Sequence, residues 1–132
     1  MTNIAELKEK AKVGWASFIS FEALTSTAAP KLVQFSGTRQ GMRLLDVACG
    51  TGVVALTASR LGAEAQGIDL TPELIKRANE NAKIMELKAK FVEGDAEFLP
   101  YRENEFDIVL SQYGHMFAPR PSIVVKLSLI HI

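Results

Sequence analysis

Asp46-Val47-Ala48-Cys49-Gly50-Thr51-Gly52 follows the apolar run Arg43-Leu44-Leu45 and precedes a helical stretch from Val53 to Leu61. A short, mostly apolar run that ends in small residues reads as a buried strand entering a tight turn. Gly50-Thr51-Gly52 is that turn, and Gly62 is suited to end the helix. Outward from this point the same alternation repeats. Ala63 to Ile68 predicts a second strand, closing at Asp69. Thr71-Pro72-Glu73 then opens a helix with an N-cap, a proline in the first position and an acid in the first turn. That helix is expected to reach about Glu86 and to bury Leu74, Ile75, Ala78, Ala82 and Met85. Ala89 to Glu93 and Phe106 to Leu110 predict strands three and four. Strands alternating with helices imply parallel strands joined by right-handed crossovers, so the expected fold class is α/β with a doubly wound sheet.

Residues 1–40 read as a helical lead-in. Asn3 and Glu6 have the spacing of a capping box, and Ile4, Leu7, Ala11 and Trp15 recur at helical intervals. Lys8, Lys10 and Lys12 are expected on a solvated face; Phe18, Phe21 and Leu24 suggest a second apolar face. Pro30 opens a helix toward Phe35, with Gly37 as its stop. The 132 residues carry 15 Lys+Arg and 15 Asp+Glu, so the chain lacks the basic excess that nucleic-acid or membrane-surface binding requires. Its one cysteine, Cys49, cannot form an intramolecular disulfide or a cysteine-rich metal site, and no metal is expected. Apolar runs are interrupted by Asp46, Arg60 and Lys126, so no membrane span is expected, and the Glu6/Glu9-bearing N-terminus is unlike a secretory signal. The expectation is one cytoplasmic domain.

The chemistry gathers at strand ends. In an open parallel sheet, ligands bind beyond the carboxyl ends of the strands where the strand order reverses. The glycines after Asp46 let a ligand approach the backbone, and the following helix N-terminus offers unpaired N–H groups to a carboxylate or phosphate. An acid just before them repels pyrophosphate and suits an ammonium group, so an amino-acid-like ligand end satisfies both demands. Asp69, 17 residues after Gly52, can accept bonds from both hydroxyls of a ribose, with Leu70 as an apolar wall for a base. Asp95, in Gly94-Asp95-Ala96, can accept from an exocyclic amine beside the Ala96 amide.

Asp46 to Gly52, Asp69, Gly94-Asp95-Ala96-Glu97-Phe98-Leu99-Pro100 and Phe106-Asp107-Ile108-Val109-Leu110-Ser111 together resemble successive motifs of class I S-adenosylmethionine-dependent methyltransferases, in the small-molecule, ubiquinone/menaquinone-biosynthesis-like branch. The resemblance spans roughly Gly41 to Pro121. It implies a Rossmann-like sheet, S-adenosylmethionine as cofactor, and methyl transfer to a small-molecule acceptor by in-line displacement. It also implies that Asp46, Ala48, Gly50, Thr51 and Gly52 hold the methionine part, Asp69 and Leu70 the nucleoside, and Asp95 with Ala96 the adenine. Ser111 and Gln112 would border the methionine and the acceptor. Ala48 stands where the family often has glycine. His115 is the one candidate for a catalytic base, by position; Tyr113, Met116 and Phe117 either line an acceptor pocket or pack under the N-terminal helices.

The resemblance further predicts a sheet of about four strands, the N-terminal half only, with residues 1–40 as a helical lid and 41–126 as an incomplete cofactor-binding domain. Nothing after the fourth strand is expected to supply the next helix, strand and hairpin, leaving strand four as an exposed edge and the fragment inactive. Leu127 to Ile132 resemble the translation of a transposon-end adapter, so the natural frame is expected to end at about Lys126. Arg120 and the flanking prolines read as a solvated loop, and Cys49 as an ordinary small residue. Two other functions stay open. Gly50-x-Gly52-x-x-Ala55 with Asp69 also fits an NAD(P)- or FAD-binding oxidoreductase, and the domain could bind a cofactor without catalysis.

Overall fold

The computed structural model describes residues 3–132. Four strands, β1 (Arg43–Val47), β2 (Glu64–Asp69), β3 (Lys90–Glu93) and β4 (Ile108–Leu110), form one sheet in the order β3-β2-β1-β4. All three pairings are parallel. β1 sits centrally because its side chains are apolar on both faces: Leu44, Leu45 and Val47 are all fully buried. In register, Leu44 lies opposite Ala65 and Ile108, and Asp46 opposite Gly67 and Leu110. The chain moves from β1 outward to β2 and β3, then returns to place β4 on the other side of β1. The reversal of strand order therefore falls at the end of β1, where the glycine turn lies.

Each face of the sheet carries its own apolar layer. Alternation along β1 sends Leu44 to one side, with α3 (Ala29–Phe35), α4 (Val53–Arg60) and α5 (Pro72–Ile84); there Ala29, Val33, Val54, Ala55, Ile75, Ala78 and Phe91 close the core. Leu45, Val47 and Ile68 face the other way, against Leu99, Phe106 and Val124. Val124 belongs to α6 (Pro121–Ile130). The helix expected to be missing after the fourth strand is thus present. Its sequence, Pro-Ser-Ile-Val-Val-Lys-Leu-Ser-Leu-Ile, is rich in β-branched residues of modest helix propensity, so only docking onto Leu45, Val47 and Ile68 reveals it. Leu127–Ile130 continue this helix, Ser128 and His131 are buried, and the Asn104 and Phe106 amides donate to the Ile130 and His131 carbonyls. β4 lies at the sheet edge as expected, half-buried and only three residues long.

Two local readings need correction. Met85 is 41% exposed, because α5 ends at Ile84 and the chain turns at Glu86, whose φ is +54°. Thr71 stands at the N-cap of α5, but its side chain makes no capping bond; its own amide instead donates to Asp69 Oδ1 at 2.9 Å. At the N-terminus, Asn3 does cap α1 (Ile4–Ala16), accepting from the Ala5 amide at 3.1 Å. A 3-10 turn (Ser17–Phe21) and α2 (Glu22–Ser26) lead from α1 to α3.

Candidate functional site

A cavity of 380 Å³ opens at the carboxyl ends of β1, β2 and β3, within the roughly 300–1,000 Å³ span of small-molecule sites. Its floor is the sheet: Ala48 and Gly50 from the β1 turn, Asp69 and Leu70 after β2, Gly94, Asp95 and Ala96 after β3. Its roof is apolar and aromatic. Leu7, Ala11, Trp15 and Phe18 descend from the N-terminal segment, and Tyr113, Phe117 and Ala118 from the segment after β4. The Trp15 and Phe117 rings meet at 4.8 Å between centroids, and Trp15 meets Phe18 edge-on at 5.7 Å.

Of the residues expected at the site, Ala48, Gly50, Asp69, Leu70, Asp95, Ala96 and Gln112 face this cavity together. Asp69 is buried, and its two oxygens brace the floor: Oδ2 accepts from the Gly50 amide at 2.8 Å and Oδ1 from the Thr71 amide. Burial raises the Asp69 carboxyl while those amides oppose the rise. Gln112 donates through Nε2 to the Thr25 carbonyl at 2.8 Å, whereas its Oε1 is buried without a partner. An orphaned buried acceptor on a cavity wall is an open place for a ligand donor. Gly50, at φ +55°, has open space where a side chain would project, so the backbone there can meet a ligand directly.

Ala48 also has φ +55°, and Tyr113 has +69°. Both are left-handed positions that disfavour side chains, and strain of this kind gathers at ligand sites. The Ala48 methyl is accommodated because residue 114 is glycine: a Cβ on Gly114 would come within 2.3 Å of it.

The remaining expected residues lie beside the cavity rather than on its wall. Strand alternation turns Asp46 toward the α4 face. There Oδ2 accepts from the Ala55 amide at 3.2 Å, capping a helix whose own N-cap, Gly52, has no side chain to do so. Thr51 is buried and its carbonyl accepts from Asn81; Gly52 lies under the Phe91 ring. Ser111 Oγ donates to the Val47 carbonyl at 2.7 Å and accepts from the His115 amide, tying the post-β4 segment to β1. His115 Nε2 lies 3.3 Å from Ser128 Oγ, and burial lowers its pKa.

Burial pushes the Asp46 carboxyl up to about 8; the Ala55 amide opposes this and the Asp69 charge adds to it. A carboxyl whose folded pKa exceeds its unfolded value binds its proton more tightly when folded, so stability is lost as pH rises between the two. From the ordinary 3.8 to about 8 the chain is expected to lose stability progressively through this group. Asp46→Asn keeps the acceptor for Ala55 and removes the charge. Thermal melts at pH 5 and pH 8 are therefore expected to converge in the variant relative to wild type, and equal pH dependence in both proteins contradicts this account of Asp46.

Two surface residues prove structural. Lys8, expected to be solvated, is only 14% exposed in its side chain and bridges Asp95 Oδ2 and Glu97 Oε2. Arg120, expected in a solvated loop, donates to Glu97 through its amide, Nε and Nη2. Neither partnership has a local signal, since Lys8 is 87 residues from Asp95. Among the described residues no helix is long and apolar enough to cross a membrane, and no group of three or more His, Cys, Asp or Glu could hold a metal ion.

A family model described as "Methyltransferase domain" matches residues 44–128. The chain is 48% identical over 99 residues to an uncharacterized protein of Mycobacterium tuberculosis (strain ATCC 25618 / H37Rv), an alignment covering 75% of this chain and 36% of that protein. It is 34% identical over 99 residues to the demethylmenaquinone methyltransferase of Staphylococcus aureus (strain MRSA252), covering 73% of this chain and 41% of the relative. The crystal structure of a SAM dependent methyltransferase from Aquifex aeolicus shares the fold at a TM-score of 0.70 and 20% identity, over 78% of this chain and 57% of that one. The chain thus spans less than half the length of the curated relatives it matches. With the strand order, the carboxylate-braced glycine turn and a match over most of its length, this chain belongs to the class I S-adenosylmethionine-dependent methyltransferases.

Proposed function

We propose that the protein transfers a methyl group from S-adenosylmethionine to a small, apolar acceptor, and that this chain supplies the cofactor cavity. The observation that carries the reading is the convergence of Asp69, the Gly50 turn and the unpartnered Gln112 Oε1 on one cavity. The donor set fits the cofactor. In this reading Asp69 accepts from ribose hydroxyls, and Gln112 Oε1 from the ammonium of the methionine part. Leu70 offers an apolar wall to the base. Ala96 lines the wall beside it at the adenine end, and Asp95, which already holds Lys8 through Oδ2 and the Glu97 amide through Oδ1, is the acceptor there. Asp46 acts through the turn and the helix that it caps.

The cofactor supplies an already activated methyl group, so the protein's task is orientation and the exclusion of water. The aromatic roof supports an acceptor with a flat or apolar body, in keeping with the demethylmenaquinone methyltransferase relative. His115 is turned to Ser128, which favours an acceptor that needs no base from this position. The cytoplasm suits such a reaction.

A dinucleotide site is less well supported. The cavity's two floor acids, Asp69 and Asp95, disfavour a pyrophosphate. Thermal shift tests the reading: S-adenosylhomocysteine at 100 times its dissociation constant is expected to stabilise the fold by about 2.7 kcal/mol, and NADH to leave it unchanged. Stabilisation by NADH alone would reverse the assignment.

A further inference from the structure

The cavity roof is attached in an unusual way. No residue of α1 is fully buried, and its apolar contacts, such as Trp15 on Phe117, are half-exposed. Charge adds a second hold. Lys8 Nζ reaches Asp95 Oδ2 on the cavity wall and Glu97 Oε2 at 2.6 Å. The Glu97 side chain is 1% exposed. On its other side it receives Arg120, through the amide at 2.6 Å, Nη2 at 2.9 Å and Nε at 3.2 Å. One buried carboxylate therefore joins the two segments that cross the cavity, and the Trp15–Phe117 contact lies between them. Burial alone would raise the Glu97 carboxyl, but the Arg120 and Lys8 bonds outweigh it and hold it at about 2, so the link stays ionised at every physiological pH.

We propose that Glu97 is a positioning residue, a clasp that keeps α1 and the Tyr113–Pro119 segment closed over the cavity and sets how fast its occupant leaves. The occupant's identity rests on the reading of the cavity as a cofactor site. Removing either partner of the Lys8–Glu97 bridge leaves the other charge uncompensated and cuts the tie between α1 and the rest of the cluster. Release through such a roof is a gating step of the kind that limits turnover in many enzymes.

Trp15 is the chain's single tryptophan and lies on the cavity wall, so its emission reports the roof. In the ligand-free chain, Lys8→Met and Glu97→Gln are each expected to raise the acrylamide quenching constant of Trp15 at least twofold. In stopped-flow measurements with S-adenosylhomocysteine, each is expected to speed release at least tenfold while changing association less than threefold. The double variant is expected to release no more than twofold faster than the faster single one, because both act through one cluster. Lys8→Met leaves the Glu97–Arg120 pair intact and carries the test should Glu97→Gln fold poorly. Release from Lys8→Met within twofold of wild type overturns the clasp and leaves the cofactor assignment standing. Increased quenching in the variants, with no S-adenosylhomocysteine signal from any form, retains the roof clasp and overturns the cofactor assignment.

Discussion

Gly52→Ala is expected to destabilise the chain by about 2–4 kcal/mol, more than any other single methyl addition in the glycine turn. Two costs add. Gly52 has φ +84°, a left-handed conformation that costs a side-chain-bearing residue about 1–2 kcal/mol. A Cβ there would also lie 2.6 Å from Phe91 Cζ and 3.2 Å from the Ala78 methyl. Phe91 is buried between α5 and the sheet and cannot swing aside, so overpacking contributes about 1–3 kcal/mol. Gly37 is the control: its φ is +72°, but nothing lies within 4 Å of a Cβ, so Gly37→Ala incurs only the backbone cost. Thermal unfolding followed by circular dichroism is expected to put Gly52→Ala roughly 10 °C or more below wild type and well below Gly37→Ala. Equal melting of the two variants contradicts the packing described for the turn.

Asp69→Ala is expected to weaken S-adenosylhomocysteine binding about 100-fold, the scale of losing charge-assisted bonds from a carboxylate. Asp69 is the acid on the floor whose two oxygens also fix backbone amides, those of Gly50 and Thr71. Its removal therefore strips the ligand of an acceptor and loosens the turn together. Asp69→Asn separates the two, because the amide keeps one acceptor oxygen and loses the charge; about a tenfold loss is expected from it. Calorimetric titration checks both, with circular dichroism confirming that each variant is folded. Dissociation constants within threefold of wild type for Asp69→Ala would remove Asp69 from the site.

The legible part of this molecule was local. The apolar run before Gly50, the Gly62 and Gly37 stops, and the Pro30 and Pro72 helix starts each act through a few neighbouring residues, and the elements they predict are present. What escaped depends on long-range contact. Lys8 and Arg120 look like solvated charges until the fold brings Glu97 between them. Asp46 sits at an expected strand end, yet the side it faces follows from alternation along β1 and from Gly52 lacking a capping side chain. α6 carries no local signal because its β-branched residues have weak intrinsic preference and take their helical form from the β1 and β2 face they cover. The expectation of the fourth strand as an exposed edge is half right in physical terms: β4 is an edge, and α6 shields the sheet face beside it.

A crystal structure of the chain with S-adenosylhomocysteine tests the central claim most directly. Both ribose hydroxyls are expected within about 2.6–3.2 Å of the Asp69 oxygens, the amino-acid end over the Gly50 turn, and its ammonium on Gln112 Oε1. Density for the ligand outside this cavity, or a ribose that leaves Asp69 untouched, would contradict it.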